Sequence, residues 1–150
     1  DENIYFVIFG KGILEEKLLE RINELGLNGK ILLAGLAPME NIMALTDIFV
    51  MPELYDGLAL AILEAMSVGK PVIVSKVSGP DEVIEDNVNG LFVEPKNVPM
   101  LAEKILQLIE DENLRKKLGA KAQEDAKKFS IENRVKIIEN AVISLYENFK

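Results

Sequence analysis

Two carboxylates set in an otherwise apolar stretch are the residues of this chain best suited to chemistry. They are Asp56 and Glu64, within the run from Phe49 to Ser75, FVMPELYDGLALAILEAMSVGKPVIVS. From Gly57 to Gly69 the only ionisable side chain is Glu64; the residues around it, from Leu58 to Val68, are apolar or small. A helix that is apolar on every side is normally buried, and a carboxylate inside one needs partners. A ligand rich in donors would supply them, and so would a lysine of the core.

The elements that must position these acids follow from the same run. Ile48 to Met51 read as a short strand, Pro52 to Asp56 as a loop, Gly57 onward as a helix, and Pro71 to Val74 as a strand with proline at its first residue. With a helix start near Leu58 or Ala59, Glu64 lies roughly 8 to 9 Å along the axis. A helix N-terminus after a glycine loop offers free N–H groups and the positive end of a dipole. A pyrophosphate seated there would put the hydroxyls of an attached ribose at the depth of Glu64, and Asp56 would face whatever the phosphate carries. The same residues also fit a plain Asp56-Gly57 turn ahead of a core acid paired to lysine.

The run Asp56-Gly57-Leu58-Ala59-Leu60-Ala61-Ile62-Leu63-Glu64-Ala65-Met66, followed by Gly69-Lys70-Pro71-Val72-Ile73-Val74-Ser75, resembles the signature of retaining, nucleotide-sugar-dependent glycosyltransferases of the two-Rossmann-domain (GT-B) type. Glycogen synthases, sucrose synthases and bacterial mannosyl- and glucosyltransferases belong to that group. The resemblance implies that Glu64 holds the donor ribose. It implies that Gly57, Leu58, Ala59, Leu60 and Ala61 offer backbone amides to phosphates and sugar hydroxyls, and that Asp56, the catalytic candidate, lies near the transferred sugar as a group that orients it. The family usually has Glu at the position of Asp56, and an aromatic residue and a second glycine at those of Leu58 and Ala59. An alanine at a glycine position narrows the approach of sugar to backbone.

Composition bounds the alternatives. The 150 residues are 49% hydrophobic, enough for one compact α/β domain. Seventeen basic against 25 acidic residues give a net charge of -8 with no basic block, which argues against nucleic acid as a partner. There is no cysteine and no histidine, so disulfides, zinc sites of the usual kind, imidazole acid–base chemistry and thiol nucleophiles are excluded. No apolar run approaches the ~18 residues of a membrane span and no signal peptide opens the sequence, so a cytoplasmic location is expected.

In chain order, Ile4 to Phe9 read as a buried strand of the parallel-sheet kind. Gly10-Lys11-Gly12 follow, then a helix with Leu14, Leu18, Ile22 and Leu25 at helical spacing and Gly26 past its end. Glu15 occupies the place of the third glycine of a dinucleotide fingerprint, so Gly10 and Gly12 either shape a turn or, as the family resemblance implies, line the donor cleft. Lys30 to Ala34 form the next strand and Pro38 opens a helix through Leu45. The resemblance implies base contacts from Leu36 and Ala37; an ordinary βα turn fits equally. Ser78-Gly79-Pro80-Asp81-Glu82 resemble the family's glycine-rich turn near the donor, which makes Gly79 a candidate contact. Asn89-Gly90 signal a turn before the strand Leu91 to Val93. Val98 to Ile109, Asn113 to Lys128 and Ile131 to Phe149 read as supporting helices, with Ser130 as the N-cap of the last.

The expected fold is therefore α/β, a Rossmann-like doubly wound parallel sheet of about five strands flanked by helices, forming one domain over residues 1–150. By resemblance it is half of a GT-B fold. The family begins this domain with a further strand-helix unit carrying an Arg and a Lys, and has an N-terminal acceptor domain; both are expected to be missing here. The expected function is donor binding in a retaining hexosyltransferase acting on a saccharide or lipid acceptor. The nucleotide sugar is the substrate, and neither metal nor cofactor is implied. A second copy of the chain, docked through exposed sheet or helix surface, is a candidate partner, and membrane association of a full-length parent stays open. Two alternatives remain: a non-catalytic fragment or interaction module that has lost donor binding, and a nucleotide-sugar epimerase domain.

Overall fold

The computed structural model describes residues 4–54 and 60–148. Within the span expected as one domain it has two compact units, residues 1–44 and 45–150.

In the first unit β1 (Phe6–Phe9) pairs in parallel with β2 (Ile31–Gly35), Phe6 standing opposite Ile31. Between them runs α1 (Glu15–Glu24), closed by Gly26 at φ 66. Glycine has no Cβ to clash in this left-handed setting, so it ends the helix at low cost. After Pro38 the chain enters α2 (Met39–Leu45), which buries Ile42 and Met43. The sequence predicts a buried β1, and the structure corrects this: Phe6, Val7 and Ile8 are each a little over 40% exposed. The strand has one hydrogen-bonded neighbour among the described residues, and its other edge carries none. Of the four apolar positions expected to bury α1, only Ile22 is buried; Leu14, Leu18 and Leu25 remain exposed. A two-stranded sheet offers too little surface to cover them all.

The second unit carries most of the core. β3 (Phe49–Met51), β4 (Val72–Ser75) and β5 (Leu91–Val93) lie parallel in the order β3-β4-β5, with Val50, Ile73 and Leu91 in line across the sheet. The continuous apolar run of β4 suits a strand covered on both faces, and all four of its residues are buried. Ile73, Leu91 and Val93 pack with Leu108 of α4 (Val98–Glu110) and Leu118 of α5 (Glu112–Ala126). Each such side chain, moved wholly out of water, contributes roughly 1.5 to 3 kcal/mol. α3 (Leu60–Ser67) also packs on α5. Their approach is close at Gly119, where an added Cβ would overlap the Gly69 carbonyl oxygen. The five expected strands are thus present and all parallel, hydrogen-bonded as a pair and a triplet.

Helix starts are set by short polar side chains. Asn97 caps α4, accepting from the Met100 N–H at 3.1 Å, and Asp111 caps α5, accepting from the Leu114 N–H at 2.8 Å. Ser130 caps α6 (Ile131–Asn148) as expected, with its Oγ 3.3 Å from the Asn133 amide. No residue of α6 is buried, and Val135, Ile138, Val142, Leu145 and Tyr146 are exposed.

One polar cluster ties a loop into this core. Asn89, 3% exposed, accepts from the Glu85 N–H at 2.7 Å and donates to the Val83 carbonyl and to Asp125 Oδ2 at 3.0 and 3.1 Å. Asp125 also receives Lys128 at 2.7 Å and Lys121 at 3.3 Å. The Lys128 ammonium above all, helped by Asn89 and Lys121, holds this carboxyl down at about 2, against burial that would raise it. A carboxyl depressed on folding stabilises the folded state above its unfolded pKa of about 3.9 and loses that contribution as pH falls towards the folded value. Asp125→Ala is expected to cost on the order of 1 to 2 kcal/mol at pH 7, allowing for the exposure of both lysines. Urea unfolding of both proteins should show the gap closing between about pH 4 and pH 2; a gap independent of pH would refute the ion-pair account.

Candidate functional site

The residues that position Glu64 are the buried side of α3. Ile62, Ala65 and Met66 are buried at helical spacing, which turns Leu60, Glu64 and Val68 to the opposite, exposed side. The expectation of a helix buried all round, with a costly core carboxylate, is corrected here. The hydrophobic face is one-sided because sheet and α5 cover a single flank. Glu64 is exposed, and among the described residues its carboxylate has no hydrogen bond and no ion pair, so it is not a core acid matched to lysine. It is the fifth residue of the helix as assigned, about 6 Å along the axis from Leu60. Ala61 is half-buried and Leu60 is 71% exposed. Asp56, Gly57, Leu58 and Ala59, with the expected helix start, lie outside the described residues.

Gly79 is buried, at φ 114, where a residue with a Cβ would be strained. Its N–H donates to Asp81 Oδ1 at 3.0 Å, so the amide is engaged within its own turn ahead of the single 3₁₀ turn Pro80–Glu82.

The first unit gathers the other expected contacts at the carboxyl ends of its two strands. The Gly10 N–H donates to the Gly35 carbonyl at 2.8 Å, with Gly10 at φ 135 and Gly35 at φ 66. Gly12 is exposed beyond Gly10; Leu36, 76% exposed, and Ala37 leave from Gly35. Open α/β folds bind ligands at this end of the strands. A hollow of about 200 Å³ opens there, its wall including Gly10, Lys11, Gly12 and Glu15. Sequence reasoning passed over Lys11 as a spacer between glycines and Glu15 as an absent third glycine. Nothing in the linear pattern reports that the Lys11 stem crosses Gly35, because that path depends on the backbone turn there.

A second hollow, about 480 Å³, lies in the larger unit between Asn87-Val88 and the Lys117–Glu124 flank of α5. Its Lys121 is already held by Glu124 and Asp125, and Glu64 is not among its lining residues. Chemistry therefore favours the strand ends over this larger depression.

An exposed Glu64 with no partner among the described residues should matter little for stability. Glu64→Ala is expected to shift the free energy of unfolding by less than about 0.5 kcal/mol in urea titration. A loss above about 1 kcal/mol would mean that the carboxylate has a structural partner.

Comparison with known proteins gives consistent results. Residues 1–125 match the family described as Glycosyl transferases group 1. The chain is 33% identical over 137 residues to the poly(ribitol-phosphate) alpha-N-acetylglucosaminyltransferase of Staphylococcus aureus, covering 89% of this chain and 28% of that protein. It is 40% identical over 101 residues to an N,N'-diacetylbacillosaminyl-diphospho-undecaprenol alpha-1,3-N-acetylgalactosaminyltransferase of Campylobacter jejuni, covering 67% and 26%. Among solved structures it resembles Anabaena Alr3699/HepE in complex with UDP, with a TM-score of 0.87 and 26% identity over 94% of this chain and 41% of that one. The chain thus spans well under half the length of these relatives. With the family match covering most of its residues and the parallel α/β architecture agreeing, the chain belongs to the group 1 glycosyltransferases.

Proposed function

We propose that this chain is the donor-binding part of a retaining glycosyltransferase that uses a nucleotide-diphosphate sugar. The observation that carries the reading is Glu64: an exposed carboxylate without a partner among the described residues, the fifth residue of α3, on the same exposed side as Leu60 and Val68. A carboxylate can only accept hydrogen bonds, and the two ribose hydroxyls of a nucleotide are donors of matching kind. The similar Anabaena protein was solved with UDP and with UDP-glucose, which supports a nucleotide sugar as the ligand class.

In this reading Glu64 holds the ribose, while the amides of Gly57, Leu58, Ala59, Leu60 and Ala61 meet the phosphates and sugar hydroxyls. Gly10, Gly12, Leu36, Ala37 and Gly79 border the donor. Asp56 orients the transferred hexose. The departing diphosphate takes the acceptor proton on the face it leaves, so that the sugar keeps its anomeric configuration without a protein nucleophile. An acceptor domain elsewhere in a longer parent supplies the saccharide or lipid acceptor, and the apolar side of α6 is surface for such a partner or for a second copy of the chain.

UDP, GDP and ADP, alone and as sugar conjugates, should be titrated by calorimetry or ligand-observed NMR against the chain and against Glu64→Ala. Binding near the millimolar range, roughly -4 to -5 kcal/mol, is expected for the chain and none for the variant. Binding unaffected by the substitution would remove Glu64 from the site, and no binding of any nucleotide would make the chain a module without donor affinity.

A further inference from the structure

The last helix carries an apolar stripe that no described residue covers. In α6, Ile131, Val135, Ile138, Val142 and Leu145 follow one another at spacings of four, three, four and three. That is the repeat of a coiled-coil seam, with Val135 and Val142 at its a positions and Ile131, Ile138 and Leu145 at its d positions. All five are at least 45% exposed. With about 3.6 residues per turn, Ile137 and Ile143 fall roughly 120° to either side, so the stripe is one narrow line. The start of the helix is tied down: Asn133 Nδ2 donates to the Lys127 carbonyl at 2.8 Å, and the Arg134 N–H donates to the Ser130 carbonyl at 3.0 Å.

We propose that this stripe docks a second copy of the chain, the two α6 helices pairing in parallel and in register. Charge complementarity selects that occupant and that direction. In a parallel pair the g position of one helix faces the e position five residues further along its partner. Arg134, at g, then meets the partner's Glu139, at e, and two-fold symmetry makes the contact twice. Within one chain the two side chains flank the seam on opposite sides, and neither has a hydrogen bond or ion pair among the described residues. The next such pair, Ala141 with the partner's Tyr146, sets no like charges together. An antiparallel pair with the same residues in the seam would instead bring Glu139 against its own copy. The helix has 18 residues, which is short for a coiled coil. Dissociation constants on the order of 10 to 100 μM follow.

The test is sedimentation equilibrium and light scattering on the chain and its α6 variants, from about 10 μM to about 1 mM. The chain should pass from monomer to dimer over that range. Ile138→Asp, at an exposed position, should abolish the dimer, and its unfolding midpoint checks that the fold is kept. Arg134→Glu and Glu139→Arg should each weaken the dimer about tenfold or more, since each turns two attractive pairs into two repulsive ones. The double swap should restore it, and so should an equimolar mixture of the two single variants. A monomer at every concentration overturns the proposal and leaves the stripe to a different chain. A dimer indifferent to Ile138→Asp has its interface elsewhere; one lost in Ile138→Asp but without the weakening and rescue by charge pairs in another direction. Either result overturns the proposal. No nucleotide enters these measurements, so the donor-binding reading stands or falls separately.

Discussion

The removal of β4 from water is the constraint on which the larger unit depends. Val72, Ile73 and Val74 are at most 1% exposed, with β3 and β5 hydrogen-bonded on either side and Leu108 and Leu118 packed against Ile73. A strand of this kind has no free edge and no free face, so the elements next to it in sequence have little choice of position. α3 leads into β4 through Gly69 and Pro71, and its buried side is fixed by Ile62, Ala65 and Met66. Once those three point inward, the helical repeat turns Glu64 outward. The placement of the candidate ligand-binding acid therefore follows from the burial of Ile62, Ala65 and Met66.

Close backbone contact and one polar cluster complete that arrangement. Gly119 lets α5 approach the Gly69 carbonyl, and Gly90, where a Cβ would lie 2.8 Å from Val72 Cγ2, lets the turn before β5 close on the sheet. Asn89, next to it, satisfies three groups at once and links the turn to Asp125 on α5. A buried amide of this sort specifies a single geometry, because any displaced arrangement leaves polar atoms without partners.

Much of this was legible from residues. The five strands, the helix that carries Glu64, the Ser130 cap and the glycine at the end of α1 all announce themselves through local pattern, because strand pairing and capping act over a few neighbouring residues. Burial itself was less legible. The apolar letters of β1 and α3 suggest full enclosure, yet enclosure depends on what lies alongside, and the structure covers β1 on one edge and α3 on one side. Asn89 reads as an ordinary turn residue, since its partner Asp125 is 36 positions away. Asp111 and Asn97 carry the caps of α5 and α4 without standing out from neighbouring polar residues. Of the candidate residues, Glu64 stands out in the sequence because it is the lone charge in its helix, whereas the common hollow bordered by Lys11 and Glu15 depends on the backbone turns around them.

The glycine-rich strand ends and the helix bearing Glu64 are each proposed to contact ligand, and the larger depression beside α5 is not. The most direct test is to map backbone amide NMR shifts of the chain as UDP or GDP is added. The account predicts perturbations centred on Gly10 to Gly12, Leu36, Ala37 and residues 57–64. Shifts centred instead on Asn87, Val88 and the Lys117–Glu124 flank of α5, with the strand ends and Glu64 unmoved, would contradict it.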